Sequence, residues 1–218
     1  MLQDKTILIT GSAKRIGREI ALYLAKQGFN IALHYNHSKD EALNLSEELK
    51  KLAVGVRLYQ GDLSDNIFTE QLIDAVYKDF PDLYGLINNA AIFKRAQLSE
   101  INQSLFTQML QVNHQAAVIL TQRFLKLIKT GKVVNINDKM IDKDLDNYLP
   151  YILSKRALKQ YSDNAKNIYG KDRLFEVYPT YLIANLVEDP KKFQDNIDLT
   201  GNQERIAQLL DDIKNFLI

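Results

Sequence analysis

Short β-branched runs and amphipathic stretches alternate along the whole of this chain, and that alternation leaves few folds open. KTILIT (5–10) leads through GSAK into RIGREIALYLAKQG, where Ile16, Ile20 and Leu24 recur at helical spacing. Gly28 supplies a helix stop, and NIALHY (30–35) reads as the next strand. Residues 39–53 read as a helix with Leu45, Leu49 and Leu52 on one face, VRLYQGD (56–62) as a strand, and 65–80 as a helix closed by Pro81. YGLINNA (84–90) is a fourth strand, followed over about 99–129 by a helical region read as two helices. KVVNIND (132–138), a helix over 152–169, LFEVYPT (174–180) and an amphipathic helix over 203–217 complete the pattern. Such repetition predicts one α/β domain over 1–218, a doubly wound parallel sheet of about six strands with helices on both faces. Right-handed crossovers then leave few topologies.

Composition narrows the function. A net charge of +1 gives no broadly basic surface for nucleic acid, and no segment has the apolar length of a membrane span. Cysteine is absent, which excludes disulfides, thiolate catalysis and cysteine-held metals. His34, His37 and His114 show no metal-ligand spacing, so no metal site is expected, and His114 reads as a surface or packing residue. MLQDKTILIT enters a strand at once without the apolar stretch of a signal peptide, so a soluble cytoplasmic protein is the expectation.

In open parallel sheets, ligands bind beyond the carboxyl ends of the strands. That edge collects Gly11–Gly17, His34–Ser38, Asp62, Asn88–Phe93, Asp138 and Pro179. TGSAKRIG (10–17) sits between the first strand and the first helix, where backbone N–H groups and the helix dipole can receive a diphosphate. The second strand ends HYNHS, with no acid before Asp40 to take a ribose diol. Lys14 and Arg15 in the facing loop, with His37, Ser38 and Lys39, would instead suit a 2′-phosphate, which favours NADPH over NADH. Asp138 ends a strand that looks covered on both faces; it either reaches solvent or serves a cavity, because a buried unpaired charge is costly.

Taken together, these residues resemble the short-chain dehydrogenase/reductase family. Its T-G-x-x-x-G-x-G loop is met by Thr10, Gly11 and Gly17, its N-N-A-G segment by NNAA (88–91), its helix asparagine by Asn113, and its Tyr-x-x-x-Lys by Tyr151 and Lys155 in YILSK. Arg15 for the middle glycine, LHYNHS, NNAAIF and Asp138 for the usual serine, thirteen residues before Tyr151, are similar to the pteridine reductase branch, which includes bacterial dihydromonapterin reductases. The resemblance implies a single Rossmann-type domain that reduces a dihydropteridine to its tetrahydro form with NADPH. It implies cofactor contacts at Gly11, Lys14, Arg15, Ile16, Gly17, Tyr35, Asn36, His37, Ser38, Asp62, Leu63, Asn89, Ala90, Lys155 and Pro179. Arg15, Phe93, Asp138 and Tyr151 would contact substrate, with Phe93 stacked on the pterin ring. Reducing a C=N bond needs a proton on nitrogen, which a carboxylic acid can deliver if it stays protonated near neutrality. Asp138 and Tyr151 are the implied donors, with Lys155 one helical turn along to lower the phenol pKa and hold the nicotinamide ribose. Asn113 would position a relay water.

Two departures point elsewhere. Thr180 stands where the family has glycine, and a β-carbon there costs roughly 1–2 kcal/mol if φ is positive. The chain stops at DIKNFLI, where family members continue into a seventh strand, so the expectation is an exposed sixth strand, a homodimer through helices around 103–129 and 151–170, and a doubtful tetramer. The alternative function is an NADP-binding module that has lost turnover and acts as a redox-responsive partner protein. Asp138, Asn113, Tyr151 and Lys155 occurring together favour the enzyme.

Overall fold

The structure is a computed structural model that describes residues 4–96, 99, 101–142, 146–179 and 199–218. Six parallel strands form one sheet in the order β3-β2-β1-β4-β5-β6. They are β1 (Thr6–Ile9), β2 (Asn30–Tyr35), β3 (Val56–Gln60), β4 (Leu83–Asn88), β5 (Lys132–Ile136) and β6 (Leu174–Val177). Helices α1 (Arg15–Lys26), α2 (Lys39–Lys50) and α3 (Asn66–Asp79) occupy the first half, and α4 (Gln103–Leu110), α5 (Ala116–Leu127), α6 (Leu149–Tyr169) and α7 (Leu199–Leu217) the second. The chain winds outward from β1 to β3, then returns to place β4 on the other side of β1. That reversal opens the crevice in which such sheets bind ligands.

Because strand side chains alternate, β1 feeds two cores. Ile7 and Ile9 pack with Ile20 and Leu24 of α1, Leu45 and Leu49 of α2, and Ile213 and Leu217 of α7. Leu8 points the other way, toward Leu72 and Val76 of α3, Leu120 and Phe124 of α5, and Ala165 of α6. Burial on both faces explains why these strands read as continuous apolar runs. No helix among the described residues is long and apolar enough to cross a membrane.

Local signals set the helix ends. Asp65 caps α3 by accepting from the N–H groups of Ile67 and Phe68, and Asn102 caps α4 by accepting from Leu105. That cap delays the helical region, expected from about 99, until Gln103. The two helices expected there are α4 and α5, joined by a π-helical turn over Gln111–Gln115 that carries Asn113. Pro150, tolerated in a first turn, lets α6 begin three residues earlier than its apolar spacing suggests. Within the described residues β6 pairs only with β5 and forms a sheet edge. Thr180 and the segment 181–198 lie outside the described residues.

Asp65→Ala should destabilise the protein by about 1 kcal/mol, the usual effect of losing an N-cap, without altering the active-site cleft. Urea denaturation monitored by circular dichroism measures it.

Candidate active site

The phosphate loop is built by close approach of backbones. Gly11 has φ +62°, and a β-carbon there would lie 2.9 Å from the Cα of Ala90; one on Gly17 would lie 2.5 Å from the carbonyl oxygen of Gly11. Thr10 Oγ1 accepts from the N–H groups of Asn89 (2.9 Å) and Ala90 (3.0 Å), while Asn89 Nδ2 donates to the carbonyls of Thr10 and Gly11. The end of β4 is thereby stitched to the loop after β1. Helix α1 starts beside this seam with no side-chain cap and no acid in its first turn. Its first N–H groups, with the dipole behind them, remain available to an anion, so the residues present fit a diphosphate.

His34 holds the loop from the other side. Its Nδ1 accepts from the Gly11 N–H at 3.2 Å, and its Nε2 lies 3.2 Å from the Gly61 carbonyl. A carbonyl only accepts, so the proton sits on Nε2 and Nδ1 is bare. Burial pushes the imidazole down to about 4, against smaller opposing effects from Gly61 and Asp62. A histidine inside the apolar strand NIALHY is the sequence signal for this role, but its periodicity does not reveal its partner.

At the expected 2′-phosphate end, Lys14 is already engaged. Its ammonium meets Glu41 at 2.6 Å, both side chains being about half exposed. Glu41 lies one residue past the acid at which the strand-end reading stopped, and the first turn of α2 returns it to the loop. Arg15 lines the cleft at φ +58° with no salt bridge among the described residues. A left-handed backbone at a non-glycine residue costs about 1–2 kcal/mol. His37 and Ser38 line the same end. Burial pushes the Asp62 carboxyl up, but bonds from Ser64 and Asn36 and the nearby His37 outweigh it and leave it below its ordinary value.

One cleft of about 530 Å³ runs from this loop to Tyr151 and Lys155. Gly11, Lys14, Arg15, Ile16, Gly17, Tyr35, Asn36, His37, Ser38, Asp62, Leu63, Asn89, Ala90, Phe93, Tyr151, Lys155 and Pro179 all line it. Asp138 and Asn113 do not. Asp138, 2% exposed, lies one hydrogen bond behind the wall: the Tyr151 hydroxyl donates to its Oδ2 at 2.6 Å, and the Met140 N–H donates to its Oδ1 at 2.8 Å. The carboxylate that ends β5 is therefore partnered rather than stranded.

Two expectations require correction. Lys155 does not lower the phenol: burial, then the charge of Asp138 and its hydrogen bond, raise Tyr151 well above its ordinary value. The Lys155 ammonium instead donates to the Ile136 carbonyl at 2.7 Å, and burial brings it down to about 8 despite the nearby Asp138. Asn113 acts as a brace, its Oδ1 accepting from Ile92 N (2.7 Å) and both Nδ2 hydrogens donating, to Ile92 O (2.9 Å) and Ser154 Oγ (3.0 Å). Phe93, which lines the cleft, stacks on Tyr148 at 4.8 Å and meets Tyr151 edge-on at 4.7 Å. Asn137, which the sequence reading passed over, also lines the cleft.

The sequence pattern of the family described as short chain dehydrogenase matches residues 5–194. The chain belongs to that family and is an oxidoreductase. It is 30% identical over 192 residues to an L-xylulose reductase of Caenorhabditis elegans, covering 85% of this chain and 75% of that one. Among solved structures, it is similar to the FolM alternative dihydrofolate reductase 1 of Brucella suis in complex with NADP (TM-score 0.81, 26% identity, 89% of this chain and 80% of that one). The corresponding protein of Brucella canis, also complexed with NADP, aligns with TM-score 0.75 at 27% identity over 82% of this chain and 72% of that one. The reading as a module without turnover finds no support in these likenesses.

The His34 geometry has a consequence for stability. Its folded pKa of about 4 lies below the ordinary 6.5, so its contribution is complete above pH 6.5 and is lost as pH falls toward 4. Wild type should lose about 2 kcal/mol between pH 7 and 5 that a His34→Gln variant does not lose. Denaturant titrations of both proteins at the two pH values measure the difference.

Proposed function

We propose that this oxidoreductase uses NADPH to reduce a dihydropteridine-like substrate to its tetrahydro form. NADP(H) is the cofactor: the FolM proteins of Brucella and a short chain dehydrogenase of Burkholderia cenocepacia bind NADP in the same fold, and the open N-terminus of α1 fits the diphosphate. Gly11, Arg15, Ile16 and Gly17 would hold the diphosphate, with Arg15, His37 and Ser38 around the 2′-phosphate and Lys155 and Pro179 beside the nicotinamide end.

The observation that carries the substrate reading is the buried Tyr151–Asp138 pair at 2.6 Å, where a carbonyl reductase of this family has a serine hydroxyl. NADPH, when bound, supplies a hydride to carbon; the protein must supply a proton to nitrogen. Tyr151 is protonated at neutral pH and faces the cleft, so its hydroxyl can hand that proton to a ring nitrogen. Asp138, at the other end of the same short bond, would return a proton to Tyr151. Lys155, at about 8, stays mainly cationic at pH 7 and offsets negative charge developing on the pair. The flat substrate would take the place beside Phe93 that Tyr148 fills here. Half-exposed Leu153 and largely exposed Ile168 on α6 support assembly as a homodimer through that face.

Purified protein should oxidise NADPH when dihydrobiopterin is added, and NADH much less well. Asp138→Asn should reduce turnover by roughly 10²–10⁴-fold, the usual contribution of a positioned acid. Undiminished turnover of the variant across neutral pH would exclude the acid role.

A further inference from the structure

Strand β6 carries a carboxylate in an otherwise apolar run. The Glu176 side chain is 1% exposed, and the chemistry above makes no use of it. A buried carboxylate costs several kcal/mol unless it is paired and hydrogen-bonded. Lys166 of α6 meets its Oε2 at 2.7 Å, and Asn137 Nδ2 donates to its Oε1 at 3.1 Å. The Tyr178 phenol also bonds it and is pushed up by burial and by the charge of Glu176.

An ionised carboxylate accepts and cannot donate. Asn137 must therefore turn its NH2 toward Glu176, which leaves its Oδ1 to accept from the Asp138 N–H at 3.1 Å. The opposite orientation would set an NH2 group against that N–H. A continuous line thus runs from Lys166 through Glu176 and Asn137 to the backbone of Asp138, and onward through its carboxylate to Tyr151. Asp138 is 2% exposed and does not line the cleft, so water is a poor substitute for a partner lost by its N–H.

We propose that Glu176, with Lys166 as its counter-ion, is a positioning residue of the active site: it orients the Asn137 amide and so holds Asp138 in register with Tyr151. This rests on the reading of Asp138 and Tyr151 as the proton-supplying pair. Glu176 touches neither substrate nor cofactor, so its loss should affect turnover and leave cofactor binding alone.

The test compares Glu176→Gln, Asn137→Ala, Lys166→Met and Lys166→Arg with wild type by dihydropteridine turnover, NADPH affinity and amide hydrogen exchange followed by NMR. Glu176→Gln should lower kcat on the order of 10–10²-fold, as a misplaced reacting group does, with NADPH affinity within about twofold, and Asn137→Ala should lower kcat by a similar factor. The Asp138 amide should exchange about tenfold faster, the measure of one lost hydrogen bond, while Val134 in β5 keeps its protection. Lys166→Met should behave likewise, and Lys166→Arg, which keeps the cation, should recover most of the rate and protection. Wild-type turnover and Asp138 protection in Glu176→Gln would overturn the proposal. So would a parallel fall in kcat, NADPH affinity and Val134 protection, which marks a general structural role. If wild type reduces no dihydropteridine, the proton-supply reading fails on its own, and the exchange of Asp138 against Val134 still decides the role of Glu176.

Discussion

The junction of β1 and β4 is the constraint on which the site depends. Parallel strands present their last carbonyl and N–H groups along one edge, and where the winding reverses no crossover helix covers them. Thr10 and Asn89 satisfy those groups across the gap with four bonds between 2.9 and 3.0 Å. Once that seam is drawn tight, Ala90 lies so close that residue 11 must be glycine, and Gly17 must let α1 start against the same loop. The loop end of the cleft is therefore a product of backbone packing. Its charged side chains are additions at the rim.

The other end of the cleft is built on the opposite principle. Asp138, Lys155 and Glu176 are charged groups taken out of water, each held by a definite partner: a phenol and an N–H for Asp138, a carbonyl for Lys155, an ammonium and an amide for Glu176. In such surroundings an unmet group is costly and a met one is rigid. Rigidity is what proton transfer needs, since the donor must already face the accepting atom when charge develops. Tyr151 illustrates the trade: the burial that fixes its hydroxyl against Asp138 also makes it a weaker acid than free tyrosine.

What could be read from the sequence follows from the range of each interaction. The six strands, their parallel order and the edge that carries the site were legible, because apolar periodicity and the βα alternation are local signals. Much of the cleft lining was legible for the same reason, but Asn137 was passed over, and Asp138 and Asn113 lie behind the wall rather than in it. Partnerships were not legible. Nothing in HYNHS shows that His34 faces Gly11, that Glu41 returns to Lys14, or that Lys155 bonds the Ile136 carbonyl. Each joins elements well separated in the chain, and each decides a protonation state or a free charge. Glu176 is the clearest instance: nothing in LFEVYPT shows that this acid is buried against Lys166 of α6 and Asn137.

The two ends of the cleft should therefore tolerate change differently. At the phosphate loop, affinity is spread over several N–H groups, a dipole and rim cations, so losing one donor weakens binding by a fraction and leaves the rest in place. Lys14 makes this concrete: its ammonium is shared with Glu41 at the surface, a modest, salt-sensitive pairing, while Arg15 has no such competitor among the described residues. At the Asp138 end, the contacts act in series, and each group is oriented by the one behind it. A chain in series fails at any link. That asymmetry fits a loop that holds an arginine at positive φ beside a polar line from Lys166 to Tyr151 that is satisfied at every step.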